Sequence, residues 1–123
     1  MAEDGVVAAA LEVVEIAEAE RLLSEAAAGP FSAAERAYAL AKRDPARRLA
    51  ARLAAKRAAA RLLGAGIAPS DVEVLRGSFG PPRLDFSEAG RRRLAELGAS
   101  RALVSLTHGI AHAAASVLLL RDP

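Results

Sequence analysis

Apolar residues recur along this chain with two different spacings, and each spacing predicts one kind of secondary structure. Short continuous or alternating apolar runs, which are typical of strands, occur five times. The first, GVVAAALEVVEI at residues 5–16, is interrupted by Glu12. The second and third flank the turn residues of segment 77–82 and are predicted to form a hairpin. We predict strands at residues 6–14, 72–75, 83–86, 101–107 and 111–120.

Apolar residues spaced three and four positions apart, as in amphipathic helices, occur in segments 15–27 and 33–42. Ser32 and Glu35 have the spacing of a capping box before the second of these helices. A further helix is predicted at residues 88–97, after a capping serine and before a glycine. The resulting order, β-α-α-α-β-β-α-β-β, predicts one α+β domain over residues 1–123 with a largely antiparallel sheet.

The longest predicted helix, DPARRLAARLAAKRAAARLLG at residues 44–64, is the element around which we expect the chain to fold. Asp44 can cap its first amides, Pro45 suits the first helical position, and Gly64 is a natural terminator. Good helix formers and six basic residues lie between them, with no acid to pair at helical spacing. Solvent, an acidic element or an anionic ligand must therefore balance this charge. The bases are Arg47, Arg48, Arg52, Lys56, Arg57 and Arg61.

Charge is segregated along the chain, although the net charge is only +2. From Glu3 to Glu35 the only base is Arg21, and from Arg36 to Arg61 the only acid is Asp44. We expect the two segments to neutralise each other in the fold. Binding of nucleic acid by the basic segment is the alternative. It is disfavoured because no aromatic residue is interleaved with the bases to stack on nucleotides.

The composition limits the core and excludes several kinds of chemistry. Hydrophobic residues make up 53% of the chain, but many are alanine and only 3% of residues are aromatic, so we expect oligomerisation to bury further area. The absence of cysteine excludes disulfides, thiolate metal sites and cysteine nucleophiles. No apolar run approaches the ~20 residues of a membrane span, and the acidic start differs from a secretion signal. A cytoplasmic protein is expected.

Three segments resemble a known family when they are taken together. LEVVEI at residues 11–16 resembles an opening I-D-I-V-E-I strand, RLAAKRA at 52–58 resembles R-F-A-A-K-E-A, and VSLTH at 104–108 resembles V-S-I-S-H. Their order and spacing fit over nearly the whole chain. The sequence thus resembles the holo-acyl-carrier-protein synthase type of phosphopantetheinyl transferase.

The resemblance implies a trimer that moves phosphopantetheine from coenzyme A (CoA) to a serine of an acyl carrier protein, at sites between subunits. It also implies Mg²⁺ held by a first-strand Asp, a long-helix Glu and the CoA diphosphate. A Lys one turn further along the helix would activate the carrier serine. The partners expected from it are CoA, an acyl carrier protein, and copies of this chain or of a paralogue.

This chain departs from the family pattern at those chemical positions. Glu12 replaces the Asp, Arg57 replaces the Glu, and Arg61 replaces the Lys. A guanidinium has no acceptor for a metal and does not act as a base, so only Glu12 could still ligate an ion. We therefore do not expect Mg²⁺ in the family manner. The hypothesis is an ion pair between Glu12 and Arg57 in place of the metal; the alternative is a solvated Arg57.

Most of the family residues that this chain retains can bind anions. Arg52, Lys56, Ser105 and His108 match family positions at or near the CoA phosphates. For Arg52, a surface charge without a ligand remains an alternative. Arg52 and Lys56 lie one helical turn apart, and we expect them to form one phosphate-facing stripe.

Two functions of different classes follow from this comparison. The favoured one is a divergent relative that binds CoA, an acyl carrier protein or both, with Mg²⁺-dependent transfer lost or impaired. The other is an enzyme. It would be a transferase rebuilt around Glu12, Arg57 and Arg61 with His108 or a water as base, or an enzyme for other acyl-carrier or CoA thioester chemistry.

Overall fold

The computed structural model describes residues 5–25, 29–76 and 80–122, and it confirms both the α+β fold class and the predicted order of elements. A short 3-10 helix, Pro69–Asp71, precedes the second strand. In chain order the elements are β1 Gly5–Glu15, α1 Ile16–Ser24, α2 Ala33–Leu40, α3 Pro45–Leu63, β2 Val72–Leu75, β3 Arg83–Phe86, α4 Glu88–Glu96, β4 Arg101–His108 and β5 His112–Arg121.

Most observed boundaries lie within two residues of the predicted ones. The exception is α1, which ends at Ser24 although segment 15–27 was predicted to be helical. Residues 26 and 27 of that prediction, and residues 77–79 of the predicted turn, lie outside the described residues.

The strands form two antiparallel sheets. One has the order β1-β5-β4, and the other is the predicted hairpin of β2 and β3. In the larger sheet Glu12 lies opposite Ala115. Ala115 in turn lies opposite Leu106 of β4. Because alternate side chains point to opposite faces of a sheet, these three residues share its inner face.

Helix α3 packs across that inner face and is buried on nearly all sides. Alanines let the strands and the helices α1 and α2 approach it closely, while Leu49, Leu53 and Leu63 fill the larger spaces. Two of the six basic residues of α3, Arg52 and Lys56, are buried together with this apolar packing. Within the described residues, no helix combines the length and the apolar character needed to cross a membrane.

Local signals in the sequence account for most helix ends. Ser32 and Glu35 form the predicted capping box at α2. Ser87 accepts a hydrogen bond from the amide of Gly90 at the start of α4. Gly64 ends α3 with a φ of 61°, which a glycine adopts without strain. The expected cap by Asp44 is wrong, because its side chain accepts no hydrogen bond from the helix amides.

The outer face of the larger sheet carries several large apolar side chains that nothing covers in the single chain. Leu11 of β1 is 63% exposed and Leu103 of β4 is 47% exposed, and Val6 and Val13 are also exposed on the same face. Antiparallel sheets with one solvated face normally carry polar residues there. Exposed apolar side chains grouped in this way are typical of surfaces that contact other proteins.

Candidate functional site

The first part of the candidate site is a basic cavity beside the N-terminal half of α3. It has a volume of about 210 Å³. Arg48 and Arg52 reach it from α3, Arg76 follows β2, and His108 ends β4. Tyr38 of α2 supplies an aromatic wall. The arrangement brings together Arg52 and His108, two of the four residues expected to contact CoA phosphates.

Arg52 is the most constrained member of this cavity. Its guanidinium carbon lies 4.0 Å from the centre of the Tyr38 ring, and the residue is only 3% exposed. Burial lowers the pKa of Arg52, and the nearby charge of Arg76 lowers it further. In the described part of the chain its buried Nε has no hydrogen-bond partner. A buried donor without an acceptor is costly, and an anion that reached this atom would remove that cost.

Acidic residues offset little of the positive charge of this cavity. Asp44 holds Arg48 at 3.2 Å and lies 3.8 Å from Arg47, so one carboxylate serves two arginines. Desolvation opposes the charged form of Asp44, but the hydrogen bond and charge of Arg48 outweigh it and lower the pKa of this carboxyl group. Within the described residues, no carboxylate lies within ion-pair distance of Arg52. The surplus of positive charge suits a phosphate group.

The second part of the site lies beside the C-terminal half of α3, where two ion pairs join the helix to the acidic first segment. Arg61 Nη1 lies 2.6 Å from Glu12 Oε2, and its Nη2 donates to the carbonyl of Leu11 at 3.1 Å. Arg57 forms a bidentate pair with Glu18 of α1, with 3.1 Å between Nη1 and Oε1. This pair lowers the pKa of Glu18 and raises that of Arg57.

The expected ion pair between Glu12 and Arg57 is therefore wrong. Glu12 lies opposite the turn of α3 that carries Arg61, one turn beyond Arg57. Helix α1 begins directly after β1 and packs against α3, so its Glu18 reaches Arg57 first. The alternative, in which solvent alone surrounds Arg57, is also corrected by this pairing.

These residues do not fit the magnesium site that the resemblance implies. Glu12 and Glu18 each already bind a guanidinium, and Arg57 presents only donors where an oxygen ligand is needed. Mg²⁺ requires near-octahedral oxygen coordination at about 2.0–2.1 Å. Across residues 5–25, 29–76 and 80–122, no three side chains of the His, Cys, Asp or Glu type come close enough together to hold a metal ion.

Two residues expected at the CoA phosphates lie elsewhere. Lys56 is 1% exposed, and its Nζ donates to Glu35 Oε1 at 2.7 Å and to the carbonyl of Val72. The expected stripe with Arg52 is thus absent, because Lys56 turns towards α2 and β2. Ser105 lies on the outer face of β4, whereas Leu106 and His108 lie on the inner face with the cavity.

Four residues of the two parts were missed as site residues in the sequence: Glu18, Tyr38, Arg48 and Arg76. Arg48 could have been found, because it lies four residues before Arg52 on the same helix face. Arg76 and Tyr38 come from other elements, and nothing in their local pattern indicates that they meet Arg52. Glu18 belongs to no motif, and only the packing of α1 against α3 brings it to Arg57.

Comparison with known proteins places the chain in a family, although no family model matches it. It is 48% identical over 122 residues to a holo-acyl-carrier-protein synthase from an Anaeromyxobacter species, covering 89% of this chain and 91% of the relative. The acyl carrier protein synthase of Mycobacterium tuberculosis superposes with a TM-score of 0.74 at 32% identity, covering 97% of this chain and all of that one.

A third structure, the holo-acyl-carrier-protein synthase of Helicobacter pylori in complex with coenzyme A, superposes with a TM-score of 0.74 over 91% of this chain and 99% of its own. At 18% identity it supports the fold alone. The first relative decides the family, because its identity is high over nearly the full length of both chains. The chain belongs to the holo-acyl-carrier-protein synthase family of phosphopantetheinyl transferases.

Proposed function

We propose that this protein binds CoA, with a phosphate group in the basic cavity at Arg52, and acts together with an acyl carrier protein. The observation that carries the proposal is the buried Nε of Arg52, which has no partner within the described residues. Arg48, Arg76 and His108 surround the same space and add positive charge or donors. The Helicobacter pylori protein, which shares the fold, forms a complex with coenzyme A.

Calorimetry with CoA tests this binding site. Arg52→Met keeps the length of the side chain and removes the guanidinium, so we expect the affinity for CoA to fall about 10- to 100-fold, the worth of a charged hydrogen bond. Arg92→Ala is the matched control, because Arg92 pairs with Glu88 on the exposed face of α4. Equal affinities for the two variants would contradict the proposal.

We further propose that transfer by the magnesium-dependent route of the family is lost or impaired in this chain. The support is that Glu12, Arg57 and Arg61 take up the ligand and base positions and are bound in ion pairs. The test is to mix the protein with CoA, Mg²⁺ and an apo acyl carrier protein and to measure the carrier mass. Efficient modification that depends on Mg²⁺ would contradict this part.

An active transferase is the second candidate, and the 48% identity to a holo-acyl-carrier-protein synthase favours it. In that reaction the carrier serine oxygen attacks the phosphorus attached to pantetheine, and its proton passes to His108 or a water. The bond from this phosphorus to the oxygen of 3′,5′-ADP breaks, and the nucleotide leaves with the electron pair. Arg57 and Arg61 would stabilise the charge on the phosphoryl oxygens. Modification of the carrier in the presence of a chelator would support this candidate.

We also propose that the chain forms a trimer, which is the state that the family resemblance implies. The exposed apolar side chains on the outer face of the larger sheet support an interface between copies. Wild-type protein should sediment as three chains of 12.7 kDa. Aspartate at both Leu11 and Leu103 should yield monomers, because it would bury charge in the interface. Leu40→Asp is the control, since Leu40 is similarly exposed but belongs to α2. Wild-type monomers would contradict the trimer, and partial assembly completed by a paralogue would favour a mixed oligomer.

A further inference from the structure

The four charged residues at the C-terminal half of α3 form a site that is already neutral. Glu12 and Glu18 contribute two negative charges, and Arg57 and Arg61 contribute two positive charges. Both glutamates come from the acidic first segment, and both arginines lie one turn apart on α3. Charge balance at this place therefore does not call for a divalent cation.

The arginines are held in place but remain reachable from solvent. The side chain of Arg57 is 36% exposed, and that of Arg61 is 58% exposed. Arg57 uses two of its five donors on Glu18, and Arg61 bonds Glu12 and the carbonyl of Leu11. Arg61 is more exposed than Glu12, which is 24% exposed, whereas Arg57 and Glu18 are exposed to a similar extent. Both guanidinium groups are therefore oriented and accessible to a ligand.

The two parts of the site lie on opposite sides of α3. Arg52 and Arg61 are nine residues apart, which corresponds to about 13 Å along the helix axis and about half a turn around it. Arg52 faces the end of β4, whereas Arg61 faces β1, and β5 lies between these strands. CoA carries a phosphate on its ribose and a diphosphate further along the molecule, so one CoA can use both parts only where two copies of the chain meet.

We propose that Arg57 and Arg61 bind the diphosphate of CoA without a divalent cation, and that Glu18 and Glu12 hold these arginines ready in the free protein. The inference rests on the proposed function, because it assigns the second half of the same ligand. Guanidinium groups bind phosphate oxygens with paired, charge-assisted hydrogen bonds, and they stay charged at any accessible pH. A cation at Glu12 would first have to displace Arg61 and would then face the positive charge of both arginines.

Calorimetry in two buffers tests this proposal, one with excess EDTA and one with Mg²⁺. Wild-type protein should bind CoA with affinities that agree within about twofold, since the cation contributes nothing. Alanine at both Arg57 and Arg61 should weaken binding about 10-fold or more in both buffers. Arg92→Ala again serves as the control. Wild-type binding that is at least about 10-fold weaker in EDTA would overturn the proposal.

Inorganic pyrophosphate in EDTA separates this inference from the proposed function. One outcome is that wild-type protein binds pyrophosphate, the double alanine variant does not, and neither protein binds CoA. This outcome would support a cation-free diphosphate site and contradict the proposed function. If CoA binds only with Mg²⁺, the proposed function stands and the inference falls. If neither ligand binds in either buffer, both fall.

Mn²⁺ titration followed by electron paramagnetic resonance gives a second readout that needs no ligand. Wild-type protein should bind Mn²⁺ with a Kd of about 1 mM or weaker. Arg57→Glu combined with Arg61→Lys adds a carboxylate beside Glu12 and Glu18, so this variant should take up one ion at least about 10-fold more tightly. A stoichiometric ion in the wild type that Glu12→Gln removes would overturn the proposal.

Discussion

The two halves of α3 carry similar basic residues in opposite electrostatic settings. In the N-terminal half, Arg52 lines an open cavity with Arg48, Arg76 and His108. Among the described residues, no carboxylate lies within ion-pair distance of Arg52. In the C-terminal half, each base has its own glutamate. These pairs are Lys56 with Glu35, Arg57 with Glu18, and Arg61 with Glu12.

The difference shows that a run of bases in a sequence can serve two purposes within one helix. Where an acidic segment packs against the helix, its glutamates neutralise the bases and join the elements. Where the helix faces Tyr38 and the end of β4 instead, the positive charge remains available to a ligand. The count of charges along the chain does not distinguish the two cases, because the distinction depends on which element packs against each turn.

The largest effect is expected at the buried pair in the C-terminal half. Lys56→Met would leave Glu35 charged and buried, so we expect the free energy of unfolding to fall by about 3–5 kcal/mol. Chemical denaturation at a fixed protein concentration measures the loss. Replacing both Lys56 and Glu35 with apolar residues should restore part of it, because no lone charge then remains. A loss below about 1 kcal/mol for Lys56→Met would break the contrast between the two halves.

Arg52→Met should behave in the opposite way. The substitution removes a buried donor that lacks a partner, which offsets the loss of the contact with Tyr38. We therefore expect the free energy of unfolding of the ligand-free protein to change by about 1 kcal/mol or less. Thermal denaturation with and without CoA checks this, because the wild type should gain stability from CoA and the variant should gain much less. A large loss of stability in the ligand-free variant would show that Arg52 stabilises the fold, as Lys56 is expected to do.

The smallest effect is expected at the half-exposed pair of Glu18 and Arg57. Glu18→Gln should lower the free energy of unfolding by about 1 kcal/mol or less, since solvent screens both groups. The hydrogen bond from Arg57 lowers the pKa of Glu18, so the contribution is present above its unfolded value of 4.5 and disappears as the pH falls through the folded value. Denaturation of both proteins at neutral and acidic pH measures it. A difference that grows towards low pH would contradict this assignment.

Much of the fold could be predicted from the sequence, because local signals determine it. The order of the nine helices and strands follows from the spacing of apolar residues, and the capping box at Ser32 fixes the start of α2. The segregated charges also indicated that the acidic and basic segments would neutralise each other, and three cross-segment pairs confirm it. The hairpin of β2 and β3 was predicted with the same boundaries.

The pairing within the site could be predicted only in part. Which glutamate meets Arg57 depends on how β1 and α1 both pack along α3: Glu12 of β1 meets Arg61, and Glu18 of α1 meets Arg57. The burial of Lys56 could not be predicted because basic residues occur on several sides of α3, so its sequence shows no clear inner face. The separation of Ser105 from His108 could have been predicted, since residues three apart on a strand lie on opposite faces.

A crystal structure of the protein grown with CoA and Mn²⁺ tests the central claim most directly. We predict a CoA phosphate within hydrogen-bond distance of Arg52 Nε, the diphosphate on Arg57 and Arg61, and no anomalous signal beside Glu12. An octahedral Mn²⁺ ligated by Glu12 and the diphosphate, with both arginines turned away, would contradict the account.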